Sequence, residues 1–144
     1  MAQLEFTSEE LYEQAQGNVT AFILTTIAYF KESGQKPDEW ITFVGDRFAP
    51  GWQSLEDQGA KAAMQALALN FLSGGAHLQS FSGDETRAEA IMIDWPPTDI
   101  LEMLGLSQHD VDAFYEIFKP IATLLGLSYT WHREGNQVRF TFAR

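Results

Sequence analysis

Three histidines, His77, His109 and His132, are the side chains of this 144-residue chain that ordinarily titrate near neutral pH. General acid and base chemistry would have to run through one of them, paired with a carboxylate. None has a second histidine, or a paired Asp and Glu, at a metal-ligand spacing on its own element, so no metal site is expected. His109 stands beside Asp110 and Asp112 in the first turn of an expected helix and reads as a solvated residue near a helix cap. His132 belongs to the polar face of an expected strand, opposite Arg139. His77 follows Gly74-Gly75 and shares a segment with Gln79 and Phe81, which makes it the histidine best placed to touch a ligand. Asp94, Asp99 and Glu102 gather around Trp95, but paired acid and base work needs a fixed separation inside a cleft, and no catalytic role is expected for them.

What is missing narrows the field further. The chain contains no cysteine, which excludes disulfides, thiolate nucleophiles and cysteine-bound zinc or iron–sulfur clusters. It has no phosphate-binding glycine loop, no GxSxG elbow, no HExxH and no EF-hand loop, and no cofactor is expected. Nine Lys and Arg against twenty Asp and Glu give a formal charge of −11, which opposes nucleic acid and anionic lipid as partners. The start, MAQLEFTSEE, shows neither a basic n-region nor an apolar h-region, so a cytoplasmic protein is expected. The most apolar run, Val19 to Phe30, is too short to span a bilayer, which takes about 20 residues.

Aromatic residues make up 13% of the chain. Such rings pack cores by default, and they also wall ligand cavities, which are mostly apolar with a few polar groups for orientation. Asn18, Thr26, Asn70, His77 and Gln79 are polar residues embedded in apolar stretches. Each must be satisfied locally or face a ligand or water, since an unpaired buried polar group costs about 1–3 kcal/mol.

The elements that would position these residues follow from pattern. Thr7 and Glu10 form a capping box that opens a helix to about Glu32, with Leu11, Ala15, Asn18 or Val19, Phe22, Thr26 and Phe30 on one stripe. The second half of that helix is apolar nearly all round, which predicts contacts on several sides. Pro37 opens a second helix, which Pro50-Gly51 ends, and Ser54 is expected to cap a third that stops at Gly74. Ala76–Ser82 and Thr86–Trp95 alternate as a hairpin that would set His77, Gln79 and Phe81 on one face with Ala88, Ala90 and Met92. Pro96-Pro97 breaks the strand, Thr98 caps a short helix, and Ser107 caps a longer one to Leu125 with a kink at Pro120. A final hairpin turns at Gly135-Asn136, placing Trp131 opposite Phe140, Tyr129 opposite Phe142 and Arg133 opposite Val138. Its other face carries Ser128, Thr130, His132, Arg139 and Thr141. The sum is one α+β domain over residues 1–144, a four-stranded antiparallel sheet from two hairpins with about five helices on one face.

The second half, from LNFLSGGAHLQSF to the end of the last hairpin, resembles the layout of the 4-vinyl-reductase or hydrocarbon-binding domains, relatives of the TRAPP-type ligand-binding fold. The resemblance lies in a hairpin, a helix ending at Leu124-Leu125-Gly126, and a last hairpin with a Gly-centred turn. It implies a dimeric small-molecule sensor with an apolar cavity between helices and sheet. Cysteines common near the last hairpin of that family are absent here, so no thiol or metal chemistry carries over. A layout broadly similar to the aminothiazoline-carboxylate hydrolase type keeps a hydrolase or isomerase as an alternative, without a matching catalytic motif, and a pure interaction module is a third reading. The expectation is a non-catalytic homodimer binding a small apolar molecule, with Trp52, Phe81, Met92, Tyr115 and Phe118 as walls and His77 and Gln79 as polar anchors.

Overall fold

The computed structural model describes residues 5–144. Helix α1, Ser8–Glu32, begins at the expected capping box: the Glu10 backbone N–H donates to the Thr7 hydroxyl at 3.1 Å, and the Thr7 N–H donates to the Glu10 carboxylate at 2.7 Å. Helix α2, Asp38–Phe48, runs into a 3-10 segment, Ala49–Leu55, and helix α3 covers Gly59–Ser73. Ser54 therefore caps nothing. The chain reverses at Asp57 (φ +68°) and Gly59 (φ +85°), and α3 starts only after that turn. Strands β1, His77–Gly83, and β2, Arg87–Ile93, form the first hairpin. Helix α4, Thr98–Leu104, follows, and then α5, Gln108–Val111, a 3-10 stretch, Asp112–Ile117, and α6, Phe118–Leu124. Pro120 explains that interruption, because it lacks the N–H that the Glu116 carbonyl would accept and its ring crowds that carbonyl. Strands β3, Ser128–Glu134, and β4, Gln137–Ala143, close the chain.

The four strands make one antiparallel sheet in the order β1-β2-β4-β3. The last hairpin has the register expected of its turn: Trp131 pairs with Phe140, Tyr129 with Phe142 and Arg133 with Val138. The C-terminal strand is central, and β1 and β3 are the edges. In the first hairpin a bulge between Leu78 and Ser80 shifts the pairing, so that Phe81 opposes Ala90 while His77 opposes Ile93. One extra residue reverses which side a strand presents. His77 thus leaves the face that holds Phe81, Ala90 and Met92, contrary to the uninterrupted alternation, and Leu78 takes the place opposite Met92.

Helix α3 lies across the inner face of the sheet, against β2, β4 and β1. Its alanines Ala60, Ala63 and Ala68 are buried and allow that close approach, while Phe71 stacks on Phe140 with ring centroids 4.9 Å apart. Phe140, Phe142 and Tyr115 are almost completely buried, and the Tyr129 hydroxyl donates to the Tyr115 carbonyl at 2.7 Å. Arg133 forms two hydrogen bonds with the Asp112 carboxylate, at 2.5 and 2.9 Å, which fasten β3 to the 3-10 stretch. The space beneath the sheet is therefore filled. Helix α1 packs against α4 and α5, and α2 packs against the 3-10 stretch and α6. Its buried residues are Thr20, Leu24, Ile27 and Ala28, so α1 is covered on one side and the expected stripe of Leu11, Val19 and Phe22 lies open. Among the described residues no helix is long and apolar enough to cross a membrane.

Candidate functional site

Helices α1 and α2 meet near their connecting turn, where the Phe30 and Trp40 rings lie 5.9 Å apart, and they separate further along. The space between them is a cleft of about 500 Å³. Val19, Thr20 and Ile23 of α1 form one wall, and Trp40, Val44 and Phe48 of α2 form another. Trp52 and Phe118 close one end, their rings 6.0 Å apart edge to face. Phe71, Trp95 and Phe114 make the floor, with Trp95 5.3 Å from each of the other two rings. The volume falls within the ~300–1,000 Å³ typical of small-molecule sites.

No residue lining the cleft carries a charge. Polar character comes from Thr20, Asn70, Ser73 and the Trp95 indole. Much of it is already satisfied: Trp95 Nε1 donates to Thr20 Oγ1 at 3.3 Å, and Thr20 Oγ1 donates to the Gly74 carbonyl at 2.8 Å. A Cβ on Gly74 would come only into ordinary van der Waals contact with Trp95 Nε1, at 3.4 Å. The Asn70 amide donates to the Ala66 carbonyl at 2.9 Å, and its amide oxygen accepts no hydrogen bond among the described residues. A second depression, of about 520 Å³, lies between α2 and the 3-10 stretch. It is more open, and Asp38, Asp46, Glu116 and Lys119 line it, so water solvates it well and an apolar solute gains little there.

Of the seven residues expected to contact a ligand, Trp52 and Phe118 line this cleft. Tyr115 and Met92 are buried in the packed layer between α3 and the sheet, and Phe81 is half-buried on the edge strand β1. Gln79 is exposed at the bulge. His77 is exposed as well, with Nδ1 3.0 Å from the Asp94 carboxylate, whose other oxygen accepts from the Asn136 amide at 3.3 Å. That histidine–carboxylate pair stands on an open surface, where water levels the environment that acid and base catalysis exploits. His109 lies 3.4 Å from Asp112 with its ring nearly fully exposed, and His132 is exposed on the outer sheet face. Among the described residues no three His, Asp or Glu side chains converge to hold a metal ion.

The strongest proton-affinity shifts fall in the packed layer. Burial pushes the Tyr115 and Tyr129 phenols well above the usual range, and the neighbouring Asp112 and Glu116 carboxylates add to the effect at each in turn. Among the described residues the Tyr115 hydroxyl has no hydrogen-bond partner. These phenols are held neutral, which suits packing and not nucleophilic chemistry. Ile23, Val44, Trp95 and Phe114, which the sequence did not single out as walls, line it as well, together with Trp40 and Phe48 from the aromatic stretch before the Pro-Gly corner. Their aromatic or branched character was visible, but the separation of α1 from α2 is a tertiary property without a local signature. No protein-family model matches this sequence, and no curated protein matches it either.

Proposed function

We propose that this chain is a non-catalytic binding domain for a small, neutral, largely apolar molecule held in the cleft between α1 and α2. The observation that carries this reading is a cavity of about 500 Å³ walled by aromatic and branched side chains and free of ionisable groups. Excluding water from such a surface stabilises a bound apolar molecule by roughly 25 cal/mol per Å² buried on each side. The absence of any lining cation, within a chain of net charge −11, disfavours anionic ligands. Asn70 at the rim offers one amide oxygen to orient a hydroxyl or amide donor. The reading keeps the ligand class that the hydrocarbon-binding resemblance of the second half implies, but moves the pocket from between helices and sheet to between α1 and α2, largely outside the resembling segment. A homodimer, as in that family, is part of the proposal.

Three of the four tryptophans, Trp40, Trp52 and Trp95, line the cleft, so its occupancy is readable in the protein's own fluorescence. Titration with the neutral probe N-phenyl-1-naphthylamine is expected to quench tryptophan emission and saturate at one probe per chain. At a hundred times the dissociation constant the probe is expected to stabilise the fold by about 2.7 kcal/mol. Val44→Trp places an indole in the same space and is expected to abolish saturable binding while the fold persists. Binding that never saturates, or that Val44→Trp leaves untouched, would overturn the reading.

A further inference from the structure

Helix α1 has a second apolar face that nothing among the described residues covers. Tyr12, Ala15, Val19, Phe22, Thr26 and Tyr29 follow one another at spacings of 3, 4, 3, 4 and 3 residues, the seam spacing of helices that pair along their length. The seam is turned away from the core, with Phe22 76% and Tyr29 62% exposed. Positions flanking it are Leu11, Gln16, Asn18, Ile23, Thr25 and Phe30, and none is charged in a chain that is one-fifth charged overall. A solvated helix face would carry charges there; here charge flanks the seam only at its two ends, at Glu9 and Glu32, while Glu10 and Glu13 lie on the far side of the helix.

We infer that this face is the interface with a second copy of the same chain, the two α1 helices lying antiparallel about a two-fold axis between Thr20 and Ala21. The occupant follows from the seam's own arithmetic. About that centre Val19 of one copy meets Phe22 of the other, Ala15 meets Thr26, and Tyr12 meets Tyr29, so every seam residue finds a seam partner and the bulky Phe22 is set against the smaller Val19. The patch is self-complementary, as a two-fold interface must be. A parallel pair would stack Phe22 on Phe22 and bring both acidic first turns and both helix macrodipoles side by side. Covering three rings of ~150–250 Å² each, together with Leu11 and Val19, removes roughly 500 Å² per copy from water, most of the ~800 Å² that a stable interface takes from each partner. Adjacent Ile23 and Phe30, both half-buried, add a smaller share. Val19 belongs to both the seam and the cleft wall, so pairing also covers one side of the cleft mouth.

Sedimentation of the wild-type chain is expected to give about twice 16.2 kDa, and Phe22→Glu is expected to return it to 16.2 kDa with an unchanged circular dichroism spectrum. Ala15→Glu, at another seam position, is expected to do the same. The absence of cysteine permits a register test. When Tyr12→Cys and Tyr29→Cys chains are mixed and oxidised, the mixed disulfide should dominate, because in the antiparallel pair two copies of one site lie about 25 Å apart at 1.5 Å per residue. A wild type that stays at 16.2 kDa at 100 µM, a Phe22→Glu chain that sediments like the wild type, or dominance of the disulfide between two Tyr12→Cys chains would overturn the inference. A monomer that still binds the neutral probe in the cleft would overturn the pairing and leave the binding reading standing.

Discussion

His77 combines the features that make a histidine look functional, a carboxylate at 3.0 Å and a further amide on that carboxylate, yet its side chain is 72% exposed. Exposed pairs of this kind contribute little, because solvent screens the charge and holding two side chains in place costs entropy. His77→Ala is accordingly expected to leave probe binding unchanged and to alter stability by no more than about 0.5 kcal/mol, as read from denaturant melts. Loss of binding on that substitution would return the site to the sheet. From sequence, His77 drew attention because its segment alternates cleanly, but an extra residue at Gln79 lets the strand's two ends face opposite sides. Trp52 and Phe118 were legible as candidate walls because large rings beside a Pro-Gly corner and on a buried helical stripe need apolar surroundings wherever they fall. Tyr115 and Met92 met the same criterion and went to the packed layer instead. Ring size predicts burial without distinguishing a solid core from a cavity wall.

At the level of elements, the start of α3 is fixed by a contact distant in sequence. The Ala60 N–H donates to the Glu85 carbonyl at 2.8 Å, and a Cβ on Gly59 would meet that carbonyl oxygen at 2.6 Å. Gly59 also sits at φ +85°, where a side chain is strained. Gly59→Ala is expected to destabilise the protein by about 1–3 kcal/mol, measured as a lower denaturant midpoint with an unchanged slope. That contact explains why Ser54, a good cap by type, does not begin the helix: the join to the first hairpin decides the entry point. Several local signals held, although Thr98 does not cap α4: it is the first helical residue, and Pro97 stands at the N-cap without a side-chain hydrogen bond. The Thr7–Glu10 box, the Ser107 cap and the Gly135-Asn136 turn each act within four residues, and each is realised. Where they were not local, pattern ran out. An α1 that is apolar nearly all round does not reveal which side meets the core, and two hairpins do not reveal that β4 lies inside the sheet and β1 and β3 at its edges.

For the molecule as a whole, the shifted groups bracket a pH window of stability. Hydrogen bonds from Thr86 hold the Asp84 carboxyl below its usual range, and those from Thr7 do the same for Glu10. Partial burial would raise Asp110, but the hydrogen bonds from Lys31 and Ser107 outweigh it and leave that carboxyl low. A lowered folded-state value contributes stability that is present above the unfolded value, near 4, and is lost as the pH falls through the folded one. Tyr115 and Tyr129 are raised, so their contribution is complete below about pH 10 and is lost as the pH climbs from there toward the folded values. Thermal midpoints are expected to hold between these limits and to drop on both sides, and a flat profile through pH 11 would contradict the burial of the two phenols. The bulge at Gln79 also matters beyond one protomer. An edge strand with its backbone groups unmet is a template on which further chains polymerise, and a kink in β1 spoils the straight ladder such growth requires. The opposite border, β3, bears His132, Arg133 and Glu134, which discourage the same event. Crowded solutions of this protein should therefore gather through helical surfaces and resist conversion into fibrils.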